Sequence, residues 1–195
     1  MWDQRYAADG FFYGTEPNDF LRAEVARLPR GELLCLGDGE GRNGVWLATQ
    51  GHAVTSVDLS AVGLEKAGAL ARQRGVSLTT VHADLATFDL GEARWHAVVS
   101  IFCHLPSVLR RDLYARVVRG LRPGGVVLLE SYTPAQLGRG TGGPPVADMM
   151  VDLAALRADF AGLEVLLGVE RERDVHEGQG HRGASAVVQF VARKP

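Results

Sequence analysis

Two kinds of residue in this chain stand at spacings suited to holding a ligand. Glycines alternate through Gly37-Asp38-Gly39-Glu40-Gly41, and single carboxylates, Asp58 and Asp84, follow short apolar runs. The glycines come directly after Leu33-Leu34-Cys35-Leu36, so a strand runs into a glycine-rich turn. A residue without Cβ takes positive φ and lets another molecule approach the backbone, and such a turn at a strand end suits a nucleotide-type ligand. Asp58 lies about 20 residues beyond the loop, where an acid takes ribose hydroxyls.

Other chemistry-bearing residues are sparse. Ile101-Phe102-Cys103-His104 leaves another apolar run, which makes His104 the candidate base. Tyr13 and Tyr132 are candidate covers for a cationic group, an attraction of roughly 0.5 to 2 kcal/mol. His181 and Arg182 fall in a polar segment where a solvated turn is the simpler role, although Arg182 or Arg139 would suit an oxyanion. Cys35 and Cys103 sit in or beside apolar runs and are expected as small buried hydrophobes rather than a disulfide. The six histidines show no HxxxH or CxxC pattern, so no metal site is expected.

These residues need elements to position them. Pro17 or Asn18 opens a helix carrying Phe20, Leu21, Val25 and Leu28 at helical spacing, stopped by Pro29-Arg30-Gly31. A strand from about Glu32 to Leu36 precedes the glycine turn, a helix runs from Gly44 to Gln50-Gly51, and a second strand from Ala53 to Val57 closes on Asp58. Ser60 caps a helix to about Arg74, and strands follow from Leu78 to His82 and from Trp95 to Ile101. A helix from Val108 to Leu121 stops at Arg122-Pro123-Gly124-Gly125, ahead of the apolar strand Val126 to Leu129. Pro134 to Pro145 is a long loop rich in glycine and proline, and Met149 to Phe160 is expected to be helical. Strands from Leu163 to Glu172 and from Ser185 to Ala192 form a terminal hairpin. Repeated strand-helix alternation predicts an α/β, doubly wound, mostly parallel sheet.

A chain of 195 residues, 46% hydrophobic and 23% charged, fits one domain, residues 1–195. The net charge of −2 gives no general pull toward nucleic acid or anionic membrane. No apolar run is long enough to span a bilayer, and Met1-Trp2-Asp3-Gln4-Arg5 lacks a secretory signature, so a cytoplasmic protein is expected. The oligomeric state is not indicated.

Two registers of the loop compete. Gly39-x-Gly41-x-x-Gly44 with Asp58 satisfies the dinucleotide fingerprint, which leaves an NAD(P)-dependent oxidoreductase as an alternative. Gly37-x-Gly39-x-Gly41 resembles the first motif of class I S-adenosylmethionine-dependent methyltransferases. Val81-His82-Ala83-Asp84-Leu85 resembles that family's third motif, and Leu121-Arg122-Pro123-Gly124-Gly125 resembles the turn before its fifth strand. Short-chain dehydrogenases need a Tyr-x-x-x-Lys pair, and neither Lys66 nor Lys194 follows a tyrosine at that spacing. Trp2-Asp3-x-Arg5-Tyr6, Tyr13-Gly14-x-x-Pro17-Asn18-x-Phe20-Leu21 and Gly39-Glu40-Gly41-Arg42-Asn43 resemble the bacterial small-molecule methyltransferases of the tellurite-resistance and thiopurine type.

The resemblance implies a seven-stranded Rossmann-like sheet with an antiparallel C-terminal strand, an N-terminal helical cap over residues 1–30 and a substrate loop over 134–148. It implies S-adenosylmethionine as cofactor, held by Gly37, Asp38, Gly39, Gly41, Asp58, Leu59, Asp84, Leu85, Ile101, Phe102 and Tyr13. Catalytic roles fall to His104 and Tyr132, and the partner is a small molecule, a soft nucleophile such as a thiol or chalcogen oxyanion. The family usually carries an acid two residues before the first glycine, where Cys35 stands here, and Asp38 is the candidate substitute. A binding module that holds S-adenosylmethionine without catalysis is a further alternative.

Overall fold

The computed structural model describes residues 2–195. Its strands are β1 (Glu32–Leu36), β2 (Ala53–Asp58), β3 (Thr79–His82), β4 (Trp95–Ile101), β5 (Leu121–Tyr132), β6 (Glu164–Glu177) and β7 (His181–Arg193). They form one seven-stranded sheet in the order β3-β2-β1-β4-β5-β7-β6, and β7 alone runs against its neighbours. The helices are α1 (Trp2–Tyr6), α2 (Asp19–Glu24), α3 (Arg42–Thr49), α4 (Ala61–Gln73), α5 (Ser107–Gly120) and α6 (Leu153–Asp159). None is long and apolar enough to cross a membrane. The strand order reverses between β1 and β4, and the carboxyl ends at such a reversal open the crevice where doubly wound folds bind ligands.

Successive side chains of β1 divide between the two faces of the sheet. Leu34 and Leu36 join Val98, Val127 and Leu129 under Leu113, Val117, Leu156 and Phe160. Leu33 and Cys35 join Ala97, Val99 and Leu128 under Phe20, Leu21, Leu47 and Ala48. Burial of both faces explains why β1, β4 and β5 carry nearly continuous apolar runs.

The structure differs from the sequence expectation at several boundaries. The Arg122-Pro123-Gly124-Gly125 turn lies inside β5, because Leu121 pairs with Trp95 before the register shifts. Helix α6 begins only after Asp152, whose side chain accepts from the Ala155 amide at 2.7 Å. The hairpin ladder continues past the expected ends until Glu177 pairs with His181. Its charged residues look solvated in sequence, but several turn inward onto partners distant in the chain.

Candidate functional site

The glycine turn is fixed from within. Gly37, Gly39 and Gly41 have φ of 59°, 56° and 83°, a region that L side chains rarely occupy. A Cβ at Gly37 would lie 2.8 Å from Cys103 Sγ, and one at Gly39 would lie 2.5 Å from the Tyr6 hydroxyl. The loop therefore needs glycine both for its backbone and for close packing by the strand end after β4 and by α1. Gly44 is crowded by Asp38 and Ser56, so its place in the dinucleotide register has an internal packing cause.

Asp38 turns its carboxylate into the protein. It accepts from the Gly44 amide at 3.2 Å and from the Ser56 hydroxyl, and burial pushes its pKa up to about 7. Both oxygens are engaged, so Asp38 supports the loop and the first turn of α3. Glu40 is buried as well, accepting from the Phe12 amide at 2.7 Å and pairing with Lys66, whose ammonium also reaches the Ala8 and Gly10 carbonyls. These contacts tie residues 8–12 to the glycine turn.

Beside the turn, Asp58 closes β2 and accepts from the amides of Gly39 and Ser60, both at 2.8 Å. Burial raises its pKa against the lowering effect of those amides. Leu59 next to it is 54% exposed, an apolar side chain presented at a strand end. Asp84 is exposed and accepts from the Ala86 amide through Oδ1, while Leu85 is buried beneath it. Asp58, Leu59 and Asp84 stand at the ends of neighbouring strands because β2 and β3 are in register, Asp58 opposite His82.

A second group lies beyond β4. Ile101 is buried, and Phe102 follows it with φ of 50°, a strained conformation that costs on the order of 1 to 3 kcal/mol. Its ring stacks on Tyr132 at 4.6 Å and meets His181 edge-on at 4.6 Å. His104 stacks on the other neighbour, Tyr132, at 5.4 Å, and Tyr13 lies 4.8 Å from His181. Tyr132 is fully buried, and neither its hydroxyl nor His104 Nε2 has a hydrogen-bond partner among the described residues. Burial lowers the His104 pKa to about 3, and burial likewise raises Tyr132. The 134–148 loop packs here: Gln136 accepts from the Ala186 amide at 2.8 Å, and a Cβ at Gly142 would lie 2.9 Å from His181 Cδ2. The Cys103 thiol, pushed up to about 12 by burial, stays protonated.

A buried ionic network, not legible in the sequence, underlies this group. Glu130, at 0% exposure, accepts from Asn18 Nδ2 at 2.6 Å, from Arg173 through both oxygens at 2.8 and 2.6 Å, and from Gln189 at 2.7 Å. Glu177 accepts from the same Asn18 amide at 2.7 Å, pairs with Arg42 and faces His181 Nδ1 at 3.4 Å. Burial alone would raise Glu177, but the His181 hydrogen bond and Arg42 outweigh it and hold the carboxyl at about 2. Two carboxylates and two guanidinium groups balance, so the network carries no net charge. Asn43 completes it by accepting the Asn18 backbone amide at 2.9 Å.

The Methyltransf_25 family, a methyltransferase domain, matches residues 33–125, from β1 into β5. A 2-heptyl-1-hydroxyquinolin-4(1H)-one methyltransferase of Mycobacteroides abscessus is 26% identical over 150 residues, covering 75% of this chain and 66% of that protein, just under two thirds of its length. A solved structure from echinomycin biosynthesis, where a disulfide bond becomes a thioacetal group, superposes with a TM-score of 0.75 at 21% identity, over 98% of this chain and 87% of the other. TehB of Haemophilus influenzae gives 0.74 at 19% identity, over 91% and 62%. The two solved structures share the fold. Residues 33–125, just under half of the chain, thus match a methyltransferase domain, within the fold that the two solved structures share.

Proposed function

We propose that this protein methylates a small molecule, with the cofactor held at the carboxyl ends of β1, β2 and β4. The carrying observation is the convergence of the positive-φ glycine turn, the Asp58 carboxylate and the exposed Leu59 at one end of the sheet. Asp58 takes the ribose hydroxyls, Leu59 and Leu85 flank the adenine, and Asp84 receives its amino group through the oxygen that Ala86 leaves free. Gly37, Gly39 and Gly41 let the backbone approach the methionine end, while Asp38 acts through the loop it fixes. Ile101, Phe102 and Tyr13 border the reacting end. When bound, the cofactor supplies a methyl group on a sulfonium, and displacement from it needs alignment and exclusion of water more than any metal or triad.

His104 and Tyr132 line the acceptor side, with the Tyr132 hydroxyl and His104 Nε2 as its orphan polar atoms. The acceptor is a soft nucleophile, and a thiol suits these walls better than a chalcogen oxyanion. Arg42 and Arg173 are both committed to glutamates, Arg139 pairs with Glu172, and Arg182 donates to the Gly178 carbonyl. A buried oxyanion would meet aromatic rings and no spare cation. The resemblance of Trp2-Asp3-x-Arg5-Tyr6 and Gly39-Glu40-Gly41-Arg42-Asn43 to the tellurite-resistance type is the argument for the oxyanion. A ring hydroxyl is the second reading, favoured by the flat aromatic faces of Phe102 and Tyr132 and by the hydroxyquinolinone acceptor of the Mycobacteroides relative.

Transfer of a labelled methyl group tests this. Thiols and hydroxylated aromatics are expected to become labelled and selenite or tellurite to label weakly. Absence of transfer to any of them, with S-adenosylhomocysteine binding intact, would favour the binding module.

A further inference from the structure

The end of the β6–β7 hairpin brings a carboxylate and an imidazole to the aromatic cluster. His181 is 6% exposed, and its ring lies 4.8 Å from Tyr13, 4.6 Å from Phe102 and 5.4 Å from Tyr132. Its Nδ1 faces Glu177 Oε2 at 3.4 Å. Glu177 is held by Asn18 and Arg42 and stays ionised, so it accepts a hydrogen bond from Nδ1–H and leaves the lone pair on Nε2. No described residue hydrogen-bonds Nε2. The Gly142 backbone packs close to the Cδ2 edge beside that nitrogen, since a Cβ there would lie 2.9 Å from Cδ2.

His104 lacks this arrangement. Its Nδ1 meets the Ser131 hydroxyl at 3.4 Å, no carboxylate backs it, and at about 3 it is too weak a base to hold a proton near neutral pH. Sequence favoured His104 because it follows β4 directly, whereas Glu177 and His181 pair only through the hairpin register.

We propose that His181 Nε2 takes the proton of the acceptor, with Glu177 as the positioning residue that fixes the tautomer and stabilises the imidazolium. This rests on the methyl-transfer reading above and narrows the substrate to acceptors that arrive protonated, an aryl or alkyl thiol or a ring hydroxyl. The acceptor's X–H bond breaks, its proton passes to Nε2, and its electron pair stays on X to bond the methyl carbon. The pair of the broken methyl–sulfur bond remains on sulfur, and His181 later releases its proton to solvent. The groups around His181 suit this cycle. Burial lowers its pKa, Glu177 and Glu130 oppose that, Arg42 adds to it, and Tyr13 and Tyr132 are kept protonated by burial. Neighbouring His104 is neutral.

Imidazole nitrogen NMR on the full-length protein without cofactor reads the tautomer directly, His181 being assigned by its loss in His181→Gln. Nε2 is expected to be unprotonated at neutral pH, and Glu177→Gln is expected to lower the His181 pKa, with partial recovery in Glu177→Asp. An Nε2–H tautomer in the wild type would overturn the proposal. In turnover, His181→Gln is expected to reduce kcat with 2-mercaptoethanol by about 100-fold or more. It should leave 4-nitrothiophenol, already ionised at neutral pH, nearly unaffected. Equal losses with both thiols would also overturn it, since a wall residue has no reason to distinguish them. S-adenosylhomocysteine affinity is expected to be unchanged in His181→Gln. Failure of the wild type to bind that ligand would count against the methyl-transfer reading alone, because the tautomer is measured without it.

Discussion

Asp38 and Asp58 at the glycine turn and Glu130 and Glu177 at the hairpin end are buried carboxylates satisfied by opposite means. Around the turn, Asp38 and Asp58 rest on backbone amides and hydroxyls, with no cation against either, and burial keeps both pKa values above normal. At the hairpin end, Glu130 and Glu177 rest on Arg173, Arg42 and the Asn18 amide, and Glu177 is held at about 2. The difference teaches which surface awaits which kind of ligand. In the reading proposed above, a turn edged by backbone amides and the Asp58 carboxylate suits the hydroxyls of a nucleoside, whereas a charge-balanced floor beneath aromatic rings suits a neutral acceptor.

The largest effect should come from breaking the hairpin-end network. Glu130→Ala takes the buried carboxylate from Arg173 and Gln189, and a loss of about 3 to 5 kcal/mol is expected in denaturant unfolding. A loss comparable to that of a surface residue would mean that the network is solvated.

Next in size is a pH effect of opposite sign in the two regions. Folded Asp38 keeps a proton up to about pH 7 that the unfolded chain releases near 3.8, so its contribution to stability falls as pH rises through that window. Asp38→Asn is expected to flatten the unfolding free energy there. Glu177 contributes fully above its ordinary value of 4.5 and loses its contribution as pH falls toward about 2. A Glu177→Gln protein that still loses the same stability below pH 4.5 would break the contrast.

Asp58→Ala removes an ionised acceptor whose hydrogen bonds are worth about 1.5 to 3 kcal/mol. S-adenosylhomocysteine binding should weaken roughly tenfold to a hundredfold by calorimetry. The smallest effect belongs to Ser60, which caps α4 by accepting from the Gly63 amide at 3.0 Å and donates to Asp3. Ser60→Ala should cost about 1 kcal/mol by thermal unfolding.

The same contrast explains what the sequence disclosed. Gly37, Gly39, Gly41, Asp58 and Asp84 are legible because each sits at a strand end, where local spacing and burial pattern fix its place. Strand order follows from the alternation and the apolar runs. The hairpin-end network is not legible, because Asn18, Arg42, Glu130, Arg173 and Glu177 meet only after the sheet closes. Asn18 was readable as a helix cap, and it does accept from the Leu21 amide at 2.9 Å, but its Nδ2 bridge between two glutamates has no sequence signature. Even β6, with its run of glutamate and arginine, looks solvated until its partners are known.

The central claim is that the turn between β1 and α3 holds S-adenosylmethionine and not a nicotinamide nucleotide. Isothermal titration of the wild-type protein with S-adenosylhomocysteine and, separately, NADH tests it most directly. Micromolar or tighter binding of the first with no heat from the second is the predicted result. Binding of NADH with none of S-adenosylhomocysteine would contradict it.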